Sequence, residues 1–205
     1  MTPNASDDTE SPLRLSTPAR PLRADARRNR ERVLSAAEDL FGARGTSVST
    51  EEIAQAAGVG VGTVFRHFPT KEELLEAVFK ARLDRLADEV RHSAETGDPA
   101  TAFRGEITRI VDQSPSKNAI TDALAAAGVR MDAVKAGVGG RVTEALGLLL
   151  RRAQEAGAVR PDVDVPTLIA LLVGAAQAVE AAGDDPVRRA RVVTVLLDGL
   201  SLRAG

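Results

Sequence analysis

The stretch from Ser49 to Glu73, STEEIAQAAGVGVGTVFRHFPTKEE, constrains the fold more than any other part of the chain. Ser49 stands three residues before Glu52, a spacing that predicts a capping box at the start of a helix. Gly58 predicts the end of that helix, because glycine adopts the left-handed backbone conformation without steric cost. A second helix is predicted over Val61–His67, with a proline two residues beyond it. Two helices joined by a short glycine-containing turn form a helix-turn-helix.

A longer segment, from Arg32 to Leu75, resembles the N-terminal domain of TetR-family transcriptional regulators. RVLSAAEDLFGARG is similar to the first helix of that family, and STEEIAQAAGVGVGTVFRHFPTKEELLEAV is similar to its helix-turn-helix and the start of its long fourth helix. The resemblance implies a three-helix DNA-binding domain, joined by a long helix to a C-terminal helical domain that binds a ligand and dimerises.

Composition also predicts an all-α fold. The 205 residues include no Trp, Tyr or Cys and only five Phe, so the core must be built mostly from Ala, Val, Leu and Ile. Alanine is the strongest helix former, and strand patterns are scarce. The lack of Cys excludes disulfides and Cys-based metal sites. A polar N-terminus and the absence of any uncharged stretch of about 20 residues predict a cytoplasmic protein without a signal sequence or membrane span.

The chain is predicted to have three parts. Residues 1–22 form a polar, proline-containing tail that we expect to be disordered. Residues 23–80 form the DNA-binding domain, and residues 81–205 form the helical regulatory and dimerisation domain. Beyond the helix-turn-helix, helices are expected at about 71–93, 99–113, 118–127, 132–156, 164–182 and 186–202, separated by Gly and Pro residues.

The resemblance and the chemistry of the side chains together predict that eight residues in and around the helix-turn-helix contact DNA. Thr63 offers a hydroxyl and a methyl group, and Gly62 lets the backbone approach closely. Val61 contacts thymine methyls or, alternatively, packs inside the domain. Arg66 binds guanine or phosphate, or is a solvated surface residue. The full set is Thr50, Val61, Gly62, Thr63, Phe65, Arg66, His67 and Lys71.

Three of these residues are assigned to phosphates. His67 matches the phosphate-contacting His of the family, and Thr50 can donate a hydrogen bond to a flanking phosphate. Lys71 begins a helix, where its ammonium group and the helix N-terminus can hold one phosphate together. Phe65 stands where the family commonly has Tyr, so a hydroxyl is missing and the residue can serve mainly in packing. Val64 and Phe68 are predicted to face the core.

Arginines are concentrated between residues 20 and 30. Arg20, Arg23, Arg27, Arg28 and Arg30 stand against one acidic residue, Asp25. The net charge of the chain is −2, so any affinity for DNA must come from local positive charge. We interpret this cluster, which precedes the first predicted helix, as an arm for phosphates or the minor groove. A solvated charge run is the alternative.

The helix predicted at 164–182 is apolar on nearly every side and must be covered on more than one side. Its second side packs within one subunit or against a second copy. The resemblance favours a two-fold homodimer with a four-helix interface made from this helix and the next. The C-terminal part loosely resembles SbtR-like domains, and the family implies a small-molecule effector of unspecified identity.

A pocket for that effector is expected to be mostly aliphatic. The candidates are Phe103, Ile107, Ile110 and Val111, with Gln113, Asn118 or Gln177 as polar anchors. For each of them, an ordinary core or surface position is the alternative.

Together these features predict a ligand-responsive repressor that binds a palindromic DNA operator as a homodimer. The alternative is a helical protein-interaction module without specific DNA binding. The chain has two His, His67 and His92, and no metalloprotease, P-loop or nucleophile-elbow motif. We therefore expect no enzymatic activity, no cofactor and no metal.

Overall fold

A computed structural model describes residues 20–113, 121–122, 124–125 and 131–202, and helices account for most of them. The helices are α1 Arg20–Arg44, α2 Thr50–Ala57, α3 Val61–His67, α4 Lys71–Thr96, α5 Pro99–Asp112, α6 Met131–Glu155, α7 Val165–Ala181 and α8 Pro186–Leu200, with a 3₁₀ turn at Gly45–Ser47. The predicted all-α fold is confirmed. Within the described residues, no helix is long and apolar enough to cross a membrane.

The first core is enclosed by α1, α2, α3 and the N-terminal half of α4. Its largest fully buried side chains are Phe41, Ile53, Leu74, Leu75 and Phe79, together with Leu124 from the C-terminal part of the chain. Val64 and Phe68 also lie in this core, as predicted from the sequence. Because α2 and α3 bury one side each here, their orientation relative to α1 is fixed by packing.

The second core lies among the C-terminal half of α4 and helices α5 to α8. It is built around Phe103, Ile107, Leu149, Leu168 and Leu200. Leu86 of α4 and Val142 of α6 pack against both cores. The long helix α4 therefore joins the two domains, as expected from the sequence.

Ion pairs also fasten α4 to its neighbours. Glu38 of α1 accepts hydrogen bonds from Arg82 and Arg85 of α4. Arg82 also donates from Nη2 to the backbone oxygen of Gln113, just after α5, at 2.9 Å. On another side, Arg141 of α6 donates to Asp84 and Asp88 of α4, at 2.5 Å each. These links connect α4 to α1, α6 and the end of α5.

Helix α1 begins earlier than the sequence pattern suggested. The arginine cluster expected before the first helix lies inside the first turns of α1. Among the described side chains of α1, none before Val33 is buried. The predicted tail of residues 1–22 lies outside the described residues except for its last three, which belong to α1. Most of the helix predicted at 118–127 also lies outside them.

Candidate nucleic-acid interface

Helix α2 begins with the capping box and ends with the glycine that were predicted from the sequence. The Oγ of Ser49 accepts from the backbone N–H of Glu52 at 3.2 Å, and the Glu52 carboxylate accepts from the backbone N–H of Ser49 at 2.8 Å. Arg44 donates to the same carboxylate at 2.8 Å. The hydrogen bonds from Ser49 and Arg44 hold the pKa of Glu52 below its ordinary value. Gly58 ends the helix with φ 62°, in the left-handed region.

Helix α3 runs over Val61–His67, as predicted, and its rotation is set by one buried side chain. Val64 is completely buried in the first core, whereas Gly62, Phe65 and Arg66 are exposed. Gly62 and Arg66 are four residues apart, so they share one face of the helix. This face points away from the core and is open to a partner.

The other predicted residues of α3 lie at the borders of that face. Val61, Thr63 and His67 are half-buried. Val61 also packs against the first core, so the packing role considered for it is present in the structure. Phe65 is 46% exposed, so its ring is accessible to a partner, and the packing role given as an alternative for it stays untested. A Cβ added to Gly62 would meet nothing within 4 Å, so packing does not require glycine there.

The predicted flanking residues begin the helices on either side. Thr50 is the first residue of α2 and Lys71 is the first residue of α4, and both are half-buried. Thr70 caps α4 by accepting from the backbone N–H of Glu73 at 3.2 Å. Both positions therefore sit at helix N-termini, whose free N–H groups and dipole favour anions.

Two residues of α1, Arg30 and Arg32, make contacts with the helix-turn-helix that were not predicted from the sequence. Arg32 donates from Nη2 to the backbone oxygen of Gly58 at 2.7 Å, which ties α1 to the end of α2. The guanidinium carbon of Arg30 lies 5.3 Å from the centroid of the Phe68 ring, just beyond α3. A cation above an aromatic face at this distance is an attractive contact. No local sequence signal indicates either contact, since both join residues far apart along the chain.

The second domain leaves an apolar groove open between α7 and α8. Helix α7 buries Leu168, Leu172, Ala175 and Val179, but Leu171 is 39% exposed on another side. The groove has a volume of about 650 Å³, and its walls include Leu171, Gly174, Ala178, Val195, Leu196 and Gly199. The described residues of one subunit therefore leave α7 partly uncovered, whereas the alternative considered from the sequence was full burial within one subunit.

The residues proposed for an effector pocket do not line an aliphatic cavity in the described part of the chain. Phe103, Ile107 and Val111 are buried in the second core. Ile110 and Gln113 line a cavity of about 350 Å³ whose other walls include Glu38, Arg82, Arg85, Glu89 and Arg109. The walls of this cavity are mostly charged rather than aliphatic, because α4 turns its charged side towards α1 and α5. The aliphatic effector pocket stays a prediction. Gln177 is exposed, and Asn118 lies outside the described residues.

An exposed recognition helix in a small domain, joined by one long helix to a larger helical domain, defines a helix-turn-helix DNA-binding protein. Comparisons with known proteins make the class specific. Residues 33–78 match the family described as bacterial regulatory proteins, tetR family. Residues 98–202 match the C-terminal domain of SbtR-like transcriptional regulators.

Solved structures and relatives in sequence point to the same family. A TetR transcription regulatory protein from Mycobacterium vanbaalenii is 41% identical, covers 88% of this chain and 99% of its own, and superposes with a TM-score of 0.75. A TetR transcriptional regulator from Streptomyces coelicolor is 32% identical, covers 85% of this chain and 99% of its own, and has a TM-score of 0.71. The regulator UidR of Escherichia coli strain K12 is 25% identical over 74% of this chain and 80% of its own.

The chain belongs to the TetR family of bacterial transcriptional regulators. It is a DNA-binding regulator of transcription, and this family consists of regulators rather than enzymes. Dimerisation and response to a small molecule are typical of the family.

Proposed function

We propose that two copies of this chain bind an inverted-repeat operator, with the α3 helix of each copy in the major groove of one half-site. The observation that carries this proposal is the rotation of α3, which buries Val64 and exposes Gly62 and Arg66. In a helix-turn-helix the exposed side of the second helix contacts base edges. Residues 23–80 act as the DNA-binding domain, and residues 81–205 act as the regulatory and dimerisation domain.

The predicted residues divide into two groups by their position. Gly62, Thr63 and Arg66, with Val61 at the border, read base edges, because they lie on or beside the exposed face. Thr50, His67 and Lys71 hold phosphates, and Phe65 contacts the DNA surface beside them. The phosphate contacts fix the register of α3 and the base contacts supply sequence preference.

Dimerisation supplies the second half-site. The groove between α7 and α8 is apolar and is walled by the small residues Gly174, Ala178 and Gly199, which allow close helix approach. Two copies of this surface related by a two-fold axis form a four-helix interface. The symmetry of the protein then matches the symmetry of an inverted repeat.

A small molecule bound in residues 81–205 regulates the complex. It acts by stabilising a form in which the two α3 helices no longer match successive major grooves, which lie roughly 34–36 Å apart. An effector shifts the equilibrium only if it binds that form more tightly. A dimer seated on a promoter blocks polymerase, so we assign repression. The operator lies on the bacterial chromosome, which puts the protein in the cytoplasm.

The test starts from selection of duplexes out of a random library, including DNA that flanks the protein's own gene. We expect an inverted repeat. The variant Arg66→Ala should then lose about 1–3 kcal/mol of binding free energy and relax specificity at one base position. Arg104→Ala is the matched control, because Arg104 is also an exposed arginine, on α5 of the other domain.

The results separate the two functions considered for the fold. Recovery of an inverted repeat, with Arg66→Ala weaker and Arg104→Ala unchanged, supports the proposal. If no sequence is enriched and the chain instead captures a protein partner specifically, the protein-interaction alternative replaces it. A thermal-shift screen against metabolites then looks for the effector, which should raise the melting temperature by mass action.

A further inference from the structure

The N-terminal turns of α1 carry a line of arginines that the operator-binding surface described above does not include. Arg20, Arg23, Arg27 and Arg30 follow one another at intervals of three, four and three residues in one continuous helix. This spacing places the four positions on one face of an α-helix. We call these four residues the arginine stripe.

The arginine stripe ends beside the recognition helix. Arg30, its last member, stacks its guanidinium group on the ring of Phe68 at 5.3 Å. Phe68 directly follows His67, which we assign to a phosphate. The neighbouring contact from Arg32 to the oxygen of Gly58 fixes α1 against the same helix-turn-helix. The stripe therefore ends beside the C-terminal end of α3 and continues from there along the exposed first turns of α1.

The chemistry of this segment suits a polyanion rather than an apolar partner. None of the described side chains of α1 before Val33 is buried, and the side chain of Arg27 is 77% exposed. Its contact with Glu31, at 3.6 Å, joins two exposed groups and is worth little in water. A phosphate can replace such a partner at little cost. Arg28, by contrast, lies on another side of α1 and pairs with Asp25.

We propose that the arginine stripe binds the phosphate backbone of DNA just outside each half-site. From Arg20 to Arg30 the helix rises about 15 Å, which is the length of roughly four to five base pairs at 3.4 Å each. Arginine suits this role because its guanidinium group presents several donors to phosphate oxygens. The inference rests on the proposed function, to which it adds a contact that carries no sequence information.

The experiment compares the double variant Arg27→Ala, Arg30→Ala with the single variant Arg28→Ala. The affinity of each variant is measured at several salt concentrations for three duplexes. The first is the selected operator with long flanking DNA, the second is the same operator without DNA outside its two half-sites, and the third is a nonspecific duplex. The slope of log affinity against log salt should fall by about 0.9 for each phosphate that is no longer bound, hence by up to about 3.6 per dimer for the double variant. Arg28→Ala should keep the wild-type slope.

Two further readouts identify the bound groups as flanking phosphates. The double variant should weaken binding to operator and nonspecific DNA by the same factor, so the specificity ratio stays constant. On the trimmed operator, wild type and double variant should bind almost equally. Arg30→Lys keeps the charge and should retain most of the slope, which separates phosphate binding from the effect of disrupting the stack on Phe68. Circular dichroism checks that every variant remains folded.

An unchanged slope in the double variant overturns the inference, as does an equal decrease in Arg28→Ala or a weakening that persists on the trimmed operator. These outcomes leave operator binding by the wild-type protein intact, so the proposed function survives them. The nonspecific duplex also allows a test of the stripe if the proposed operator binding itself fails. If wild type selects no operator, its salt slope on nonspecific DNA still reports whether the stripe binds phosphates.

Discussion

The two domains each leave one helical surface open, and the two surfaces differ in chemistry. The surface of α3 presents Gly62 and Arg66 with one exposed aromatic ring, Phe65. The surface of α7 and α8 presents aliphatic side chains, among which Leu171 is 39% and Val195 is 66% exposed. A surface of small and charged residues fits the edges and phosphates of DNA, whereas a contiguous aliphatic surface fits a second apolar surface.

The residues that remain exposed on each helix, opposite its buried side, indicate what kind of partner the helix binds. In α3, Val64 is buried and the remaining positions are mostly small or polar. In α7, burial of Leu168 and Leu172 still leaves aliphatic residues on the opposite flanks. A helix of this second kind is incompletely covered in a single chain. The same rule therefore points to DNA in one domain and to a protein partner in the other.

The largest effect should come from a charge placed in the groove between α7 and α8. Leu171→Asp puts a carboxylate where two apolar surfaces meet, so the dimer should dissociate. Binding to the inverted repeat should weaken about 10²- to 10⁴-fold, because the second half-site no longer benefits from linkage. Sedimentation and operator titration measure the two effects together.

The control for this variant is Val173→Asp, on the same helix two residues along. Val173 is 49% exposed but does not line the groove. It should therefore stay dimeric and bind the operator. A dimeric Leu171→Asp, or equal dissociation of both variants, would move the dimer interface elsewhere and break the comparison between the two surfaces.

A smaller effect should come from the ion pairs that join the domains. Glu38→Gln removes the charge that Arg82 and Arg85 share. The Glu38 and Arg82 side chains are 20% and 16% exposed, so the cost should be about 1–2 kcal/mol, between the values for exposed and buried pairs. Because Arg82 also donates to Gln113, hydrogen exchange should rise both in α1 and at the end of α5.

Glu31→Gln is the matched control, since Glu31 pairs with Arg27 on the exposed part of α1. Its free energy of unfolding should change by less than about 0.5 kcal/mol. Chemical denaturation followed by circular dichroism suits this protein, because it has no Trp or Tyr for fluorescence. Exchange that rises in α1 alone would show that Arg82 does not link the two domains.

The DNA-binding domain could be predicted from the sequence in more detail than the regulatory domain, for a physical reason. Ser49, Gly58 and the proline after α3 are local signals, and each acts on the backbone within a few residues of itself. The limits of α3 and the inward side of Val64 followed from them. The eight residues expected to contact DNA came from family resemblance together with side-chain chemistry, and their roles stay predictions.

Local sequence signals could not predict contacts between residues that are far apart along the chain. Arg30 and Phe68 are far apart in sequence, and nothing local predicts that they stack. The charged walls of the cavity beside Gln113 likewise depend on how α1, α4 and α5 meet. Helix α1 was expected to start later because its first turns lack an apolar stripe, and that stripe is the main sequence signal of a helix.

The smallest predicted effect concerns helix caps, which differ between the domains. Ser49 and Thr70 cap α2 and α4 with hydroxyls, which do not titrate in acid, whereas Asp98 and Asp164 cap α5 and α7 with carboxylates. In the DNA-binding domain, Glu52 of the α2 capping box is a cap group that does titrate in acid. Hydrogen bonds from Thr101 and Thr167 hold the pKa of each Asp carboxylate below its ordinary value. Their stabilisation is therefore complete above the ordinary pKa of Asp, about 4, and is lost as the pH falls towards the lower folded value.

Replacing both carboxylates, in Asp98→Ser and Asp164→Ser together, should keep the caps at neutral pH, because serine is a comparable N-cap. The dependence of unfolding free energy on pH below about 4 should become flatter, since two groups with lowered folded pKa values are gone. Ser49→Asp should do the opposite by adding a titrating cap to the DNA-binding domain. Hydrogen exchange measured across this pH range assigns each change to its helix. If the double variant keeps the wild-type acid dependence, carboxylate caps do not distinguish the regulatory domain from the DNA-binding domain, and the acid sensitivity comes from other carboxylates, such as Glu52 or the partners of Arg141.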